Sequence, residues 1–529
     1  MMGSTAPIET STSIAPEPQI QSQFPNRRLY PEHSPTRIAS GLKVRDVKIC
    51  PEGKLILYQV CPFYRVTDRV VSALWLAGVD QPQSAIQLTS GEFNDRGGIF
   101  HPDGSCIFFL SDRNSPGKES SIYTLSLGQS PLVDFRGHIH NGSEAPTKPE
   151  PIILTSKFNK KGVHDFKVSP DGKRVAFSSP DESTPEDIEK LKEKNDARVV
   201  GSKDGLSRLR IYSCETDEIR TLNNISSDKH VEEFTWSPDS QNLLYRLREN
   251  KGIEWTEFEV LLESINVIDE HARPKSLGSF PRSPSGQNIW LSSGHITTLQ
   301  SYEPHRSLDA LTLYVHHLPS LHLGSERIYG VESDAVRILH VNAHAPYANT
   351  IHEENDSITV EVSRDTDTQI EIITFSRDSP QHVHKFTLFH TFSDAIWFNS
   401  WDAKRVLEPG GEITYVFAGV LSSGPWHEPP NVWSGKIRVK VDEGCAEETV
   451  NEMRALLRRE GMLTCVSKHL EWLVEAPTLE TRVISWTTKD GIELSGLVRF
   501  PPGHNPESDG RLPTVLFLHG GPYRRVLTS

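Results

Sequence analysis

The chain has little that would tie it to a disulfide scaffold, a membrane or a nucleic acid. Its six cysteines, Cys50, Cys61, Cys106, Cys214, Cys445 and Cys465, are scattered through 529 residues without a Cys-x-x-Cys pair. That density lies far below the disulfide-rich class and points to reduced, buried thiols in a cytosolic protein. Methionine is scarce, at four, and mean hydropathy is −0.44. No stretch approaches the roughly 18 apolar residues of a membrane span. Basic residues are outnumbered, 56 Lys and Arg against 70 Asp and Glu, for a net charge of −14. This balance argues against nucleic acid or an anionic membrane as partner and is read as solubility. There is no His-Glu-x-x-His, P-loop or dinucleotide fingerprint, so no metal or other cofactor is expected.

Residues 1–40 are rich in Ser, Thr, Pro and Gln and contain no apolar core of a signal peptide. They read as a disordered arm. Gly3 follows two methionines, which speaks against N-myristoylation. The sequons at Asn141, Asn224 and Asn355 are what a chain of this length acquires by chance. A cytoplasmic location is expected.

What is present is a repeat. A turn built on Pro, Asp, Glu or Ser, and Gly returns at Pro51-Glu52-Gly53, Pro102-Asp103-Gly104 and Pro170-Asp171-Gly172. Looser copies stand at Pro238-Asp239-Ser240 and Pro284-Ser285-Gly286. Proline presets φ for the first corner, Asp or Ser caps the local backbone, and Gly accepts the left-handed conformation that closes the turn. Each copy precedes a short apolar strand, such as Leu55-Ile56-Leu57-Tyr58 or Val175-Ala176-Phe177.

A second strand type recurs out of phase, at residues 72–76, 121–125, 207–212 and 311–315, each followed by a polar turn and another short strand. One period therefore holds about four short strands, the content of a propeller blade. Five blades carry a recognisable turn, and residues 328–439 are strand-rich enough to supply the rest. The expected architecture is mainly β: a seven-bladed β-propeller over residues 41–445. The alternative is a β-sandwich array with coincidental turns. A charge-rich insertion from Pro185 to Lys194 reads as a short surface helix.

After Gly444 the pattern changes. Val450, Met453, Leu456 and Leu457 recur at helical spacing and Gly461 can stop a helix, so residues 446–475 read as a linker helix region. Residues 476–529 then offer three strands: Arg482 to Thr487, Ile492 to Phe500 and Thr514 to Leu518, with a turn at Lys489-Asp490-Gly491. The third is continuously apolar from Val515 to Leu518, as buried strands of α/β sheets are. It runs into His519-Gly520-Gly521-Pro522. Two antiparallel strands and then a buried strand ending in His-Gly-Gly is how an α/β-hydrolase sheet begins, and the loop after that strand supplies an oxyanion-hole N–H. Adjacent glycines let backbone approach a reacting carbonyl closely.

Residues 486–491, Leu494 to Leu497, the Pro501-Pro502 pair and His519 to Pro522 together resemble the prolyl oligopeptidase family of serine peptidases. The likeness is to its acylaminoacyl-peptidase and dipeptidyl-peptidase V-like branch, and residues 196–201 and 207–209 also look like that branch. The resemblance implies release of acylated amino acids or dipeptides from short peptides, under a propeller that caps the active site. It makes Gly521 the backbone oxyanion donor, with Gly520 as its conformational partner. The partners it implies are short peptides, with homo-oligomerisation open.

The nucleophile of that fold sits in a Gly-x-Ser-x-Gly elbow, followed by Asp and then His. No such elbow occurs; residues 128–132 and 205–209 lack the second Gly. In the family the elbow follows His-Gly-Gly-Pro, so the triad is expected past Ser529, the hydrolase domain is read as truncated, and the chain alone as inactive. The strand at Val515 would then present an unpaired apolar edge, an aggregation risk.

Two rival readings remain: a propeller used as a protein-interaction scaffold, and the same fold hydrolysing an ester or acylated amino acid. The His138-x-His140 and His382-x-His384 pairs are metal-compatible if on strands, and His340-x-x-x-His344 would need a helix that the pattern does not give. Among 22 histidines, surface or core positions are the reading taken.

Overall fold

In the computed structural model, description covers residues 41–64, 68–127, 150–155, 161–195, 205–249, 259–281 and 288–292, and most of 294–518. From 294 onward it leaves out 302–310, 317–324, 328–336, 345–354, 365–366, 377–382, 391–395, 409–412, 424–427, 440–462, 471–479 and 502. Residues 1–40 and 519–529 also lie outside it.

The described strands form seven four-stranded antiparallel sheets, each made of consecutive strands, and one hairpin. The first sheet holds β1 (Leu42–Ile49), β2 (Leu55–Pro62), β3 (Ala73–Gly78) and β4 (Ile86–Gln87). The second holds β5 (Arg96–Phe100), β6 (Cys106–Ser111), β7 (Ser121–Ser126) and β8 (Ile152–Ile153). The third is β9 (Asp165–Val168), β10 (Arg174–Pro180), β11 (Ser207–Ser213) and β12 (Glu218–Thr221). Helix α1 (Pro185–Lys192) lies between β10 and β11, where the charge-rich insertion was expected to be helical. The fourth is β13 (His230–Trp236), β14 (Asn242–Arg248), β15 (Glu259–Asn266) and β16 (Lys275–Pro281). The fifth is β17 (Asn288–Trp290), β18 (Ile296–Ser301), β19 (Leu311–His316) and β20 (Ser325–Arg327). The sixth is β21 (Arg337–His344), β22 (Asn355–Arg364), β23 (Asp367–Ser376) and β24 (Val383–His390). The seventh is β25 (Ile396–Leu407), β26 (Ile413–Ser423), β27 (Glu428–Val439) and β28 (Thr464–Cys465).

Seven apolar clusters join each sheet to the next, which makes the arrangement a β-propeller. Leu57 and Leu74 meet Ile107 and Phe109 between the first two sheets, and Phe108 and Ile122 meet Phe166 and Phe177 at the next boundary. Ala176 and Ile211 pack on Phe234 and Tyr245, and Leu244 and Leu262 on Ile296. Leu299 and Leu313 face Val360 and Phe375, and Ile370 and Ile372 face Trp401 and Phe417. The ring shuts where Val44, Val47, Ile49 and Tyr58 of the first sheet pack on Val416, Ala418, Val432 and Val466 of the last.

The turn repeat earns its place by connecting first and second strands. In the first four sheets the third turn position bonds back to the residue before the proline: Gly53 N–H to Cys50 O, Gly104 to His101, Gly172 to Ser169 and Ser240 to Ser237, at 2.8–3.0 Å. The fifth copy does not fit that role. Pro284, Ser285 and Gly286 lie outside the described residues, and Ile289 and Trp290 after them belong to the innermost strand β17, not to a second strand. The turn into β18 is made instead by Leu291 to His295, closed by Leu291 N–H on His295 O, with Gly294 at φ 84°. It needs no proline.

Two further expectations need revision. The last sheet takes its outer strand β28 from within the stretch read as a linker; the helix expected at Val450 to Leu457 lies outside the described residues. No α/β-hydrolase domain is present among the described residues. β29 (Glu480–Thr487) and β30 (Glu493–Phe500) pair with each other alone, through a turn with Gly491 at φ 85°. Residues 511–518, expected to contain a third strand, are not in a sheet, and Val515 to Leu518 are 79–88% exposed. A strand exists only by pairing, and two strands without covering helices give this apolar run nothing to join. No helix among the described residues is long and apolar enough to cross a membrane.

The seam between first and last sheets has polar staples as well. Ile49 N–H donates to Asp402 Oδ2 at 2.8 Å and Val47 N–H to Ser400 Oγ at 3.0 Å. Lys436 Nζ stands 3.0 Å from Asp80 Oδ2, and Ala85 N–H reaches Val466 O at 3.0 Å. Beyond β28, His469 inserts beside the first sheet: Tyr58 Oη and His469 Nε2 are 3.0 Å apart, and the Trp75 and imidazole centroids 4.6 Å, edge to face.

Gly53 shows how tightly the seam is packed. At φ 67° a side chain is strained there, and a Cβ would come within 2.8 Å of Val406 and 2.9 Å of Val416. Gly53→Ala should therefore cost about 2–4 kcal/mol in urea unfolding, strain and overpacking together. Gly205→Ala, at φ 68° with open space around it, should cost only about 1 kcal/mol.

Burial lowers the His469 imidazole to about 4. A histidine held neutral by folding stabilises above its unfolded value and loses that contribution as pH falls from about 6.5 to about 4. The propeller should therefore weaken over that window by on the order of 3 kcal/mol at most from this group. His469→Phe should flatten that part of a pH-stability curve measured by urea unfolding.

Candidate functional site

The residues singled out by motif, Gly520 and Gly521, lie outside the described residues, as do His138, His140 and His382. His340 and His344 fall on strand β21 and His384 on β24. Among the described residues no group of three or more metal-ligating side chains comes together.

What the fold does bring together is charge at the axis. A propeller's first strands surround a central channel, and the turn proline gives each of them a common register. Five residues before it stand Asp46, Gly97, Asp165 and Glu233; three before it stand Lys48, Ile99, Lys167 and Thr235. Three of the four sheets thus carry a carboxylate at one level of the repeat and two carry a lysine nearer the turns. Positions two apart share a face on the regular stretches of β9 and β13, whereas the bulge between Arg45 and Lys48 interrupts that alternation on β1. The acidic level is where the strands are irregular: Asp46 lies at φ 55° within a bulge of β1, and Gly97 at φ 61° within the corresponding one of β5. The seventh sheet adds Asp402, tied to β1 by the Ile49 N–H, and Lys404 two residues on along the same strand face.

These groups act on one another. Burial pushes the Lys48 ammonium down, Asp402 opposes that, and the like charges of Lys404 and Lys167 add to it. Arg96 is likewise lowered by burial, against the attraction of Asp165, Asp46 and Asp112. Burial raises Glu233 to about 7 although Arg246 and the Asn288 N–H pull the other way. Asn288 N–H and Nδ2 donate to its two oxygens at 3.0 and 3.2 Å.

One rim of the ring, where first strands begin and second strands end, concentrates ion pairs. Arg113 grips the fully buried Asp95 with two bonds of 2.8 Å and lies over the rings of Phe93, Phe109 and Tyr123. Arg208 and Arg210 both reach Asp181, at 3.3 and 2.7 Å. Arg248 pairs with Glu232 at 3.0 Å and Arg246 with Glu233 at 3.4 Å. The chain enters at this rim through β1. It also leaves there, because β28 runs antiparallel to β27 in the fourth place of its sheet.

Sequence reading missed the axial charges, although their signal was present. Aligning the strand before each turn on its proline puts Asp46, Asp165 and Glu233 in one column and Lys48 and Lys167 in another.

No protein-family model matches the chain, and no curated protein sequence matches it. Solved structures do. Puromycin hydrolase matches at TM-score 0.49 and 14% identity, over 90% of this chain and 61% of its own. A variant of it complexed with PGG matches at 0.50 and 14%, over 88% and 60%. An oligogalacturonate lyase in complex with manganese matches at 0.43 and 12%, over 88% and 98%. The AtxE2 isopeptidase matches at 0.42 and 10%, over 89% and 59%. At these identities the likeness is one of fold. The chain spans about three fifths of the length of puromycin hydrolase.

A buried carboxyl raised to about 7 stabilises the fold below its unfolded value, and that contribution is lost as pH rises through 7. Its sign is opposite to that of His469. Glu233→Gln should remove the loss between pH 5 and 8, on the order of 3 kcal/mol at most, in urea unfolding across that range.

Proposed function

We propose that this chain is the propeller and opening hairpin of a serine peptidase of the prolyl oligopeptidase family, in its acylaminoacyl-peptidase and dipeptidyl-peptidase V-like branch. The complete protein would release acylated amino acids or dipeptides from short peptides. One observation carries the reading: in the sequence after the ring's last strand come the β29–β30 hairpin and the exposed apolar run Val515 to Leu518, ending in His519-Gly520-Gly521-Pro522. A propeller used only as a scaffold has no need of that succession. The fold likeness to puromycin hydrolase supports it, since the match leaves about two fifths of that longer chain uncovered.

In this proposal the sequence following Ser529 supplies a serine nucleophile, an aspartate and a histidine. The serine oxygen attacks the scissile carbonyl while the histidine takes its proton. The carbonyl oxygen becomes an oxyanion, and backbone N–H groups at Gly521 and after the nucleophile stabilise it. Collapse breaks the amide bond and protonates the leaving amine; water then releases the acyl group by the reverse sequence. No cofactor takes part. The working form is cytoplasmic.

On this reading the 529-residue chain does not hydrolyse peptides, because each triad member is worth several orders of magnitude in rate. A fluorophosphonate probe should leave the purified chain unlabelled. It should label one serine in a product extended by the reading frame or exon downstream of codon 529. Stoichiometric labelling of the 529-residue chain, or a downstream sequence without a Gly-x-Ser-x-Gly elbow, would sink the proposal.

A further inference from the structure

The chain itself links each sheet to the next except at the boundary between the last sheet and the first. Residues 464–470 lie across that boundary. Thr464 and Cys465 pair with Ser434 and Trp433 of β27, and Val466 N–H continues onto Val432 O at 2.9 Å. On the other side, Cys465 O accepts from Gln83 N–H and Val466 O from Ala85 N–H, each at 3.0 Å. Gln83 and Ala85 belong to the link between β3 and β4 of the first sheet. Val466 is thus bonded to one sheet through its N–H and to the other through its C=O. Its fully buried side chain sits in the apolar cluster that the two sheets share.

The segment is anchored further along. Ser467 Oγ accepts from Val432 N–H at 2.8 Å and donates to Asn431 Oδ1 at 3.1 Å. The same Asn431 oxygen accepts from His469 N–H, and the His469 ring meets Tyr58 of the first sheet. The link that receives the segment is shaped for the contact. Asp80 and Gln83 both hold positive φ, at 61° and 54°, which is uncommon for residues with side chains. Their N–H groups are the ones that reach across, Asp80 to Ser434 Oγ and Gln83 to Cys465 O. Neither sheet needs the segment for its own pairing: β25 to β27 and β1 to β3 form longer ladders without it.

We propose that residues 464–470 are a strap that locks the ring: in place it holds the first and last sheets together, and withdrawn it frees that boundary alone. Main-chain bonds to two sheets at consecutive residues exist only while both sheets are in position. The strap therefore resists their separation and adds little to either sheet by itself. It also complements the other staples in position. Val47 on Ser400 and Ile49 on Asp402 join the innermost strands, whereas β28 and the link before β4 are the outer edges of their sheets. The boundary is braced at both radii. β29 begins at Glu480, ten residues on from Leu470, so along the chain the strap is the part of the ring nearest the hairpin. The strap does not rest on the peptidase reading.

The test is hydrogen–deuterium exchange of the purified 529-residue chain, read at single amides by fragmentation mass spectrometry. Gln83 and Ala85 report the strap, and Val47 and Ile49 report the boundary behind it. Asp171, bonded to Ser240 Oγ, and Asn288, bonded to Glu233, report two boundaries that the chain links covalently. Val466→Asp puts a carboxylate where a buried valine sat and should unseat the strap. Exchange should then rise at least tenfold at all four seam amides and stay unchanged at Asp171 and Asn288. Ser467→Ala should raise the same four severalfold, and decides the matter if Val466→Asp does not fold. Leu244→Ala, between the fourth and fifth sheets, should do the converse, raising Asn288 and sparing the seam. Val47 and Ile49 remaining protected while Gln83 and Ala85 exchange would reduce the segment to an ordinary outer strand and overturn the inference. An equal rise at all six amides would overturn it too. No catalytic serine enters this readout, so its result is separate from fluorophosphonate labelling of the extended product.

Discussion

Everything in this molecule hangs on a seam held, among the described residues, without a shared strand. Each described sheet is built from four consecutive strands, so among them no strand from one end of the ring completes a sheet at the other. Closure falls mainly to side chains: Val47, Ile49 and Tyr58 against Val416, Ala418 and Val466, with Asp402 accepting from β1 and Asp80 facing Lys436. Apolar burial supplies the bulk of the attraction, and it is non-directional. The staples between β1 and β25 fix the relative height of the two strands. That height also sets where Lys48 and Lys404 meet, so closure and the axial charges are one problem.

Much of this was legible in the sequence, and the failures have physical reasons. Turns at Pro51, Pro102 and Pro170 are visible because their chemistry is local: proline, a capping carboxylate and a glycine at positive φ. The looser turn at Pro238 works with Ser240 in the glycine's place, at φ 60°. Pro284 misled because the strand after it, β17, is the first of its sheet and not the second. Past residue 328 the turn motif is gone while strand composition persists, so the strands of the last two sheets were readable but their grouping was not. β28 is two residues long and no periodicity can show it.

The site divided differently. Gly520 and Gly521 were found by motif, which reads adjacency, but lie outside the described residues. The layered charges are adjacent only in space. Neither Asp46 nor Lys167 is unusual in its own neighbourhood; each acquires meaning from its distance to a proline, repeated in another sheet. At Val515 to Leu518 the reverse error occurred. Four consecutive apolar residues imply a buried strand, but burial requires partners, and the hairpin offers two strands where such sheets need several.

The absence of a shared strand also makes the starting point of the ring arbitrary. β1 and the segment after β28 come together at one boundary among seven, and that boundary differs from the others chiefly in lacking a covalent link. A peptide bond across it and a break at another boundary would keep the same neighbours around every side chain. The order of the sheets along the gene is thus a historical fact about the chain, whereas their order around the axis is the one that packing enforces.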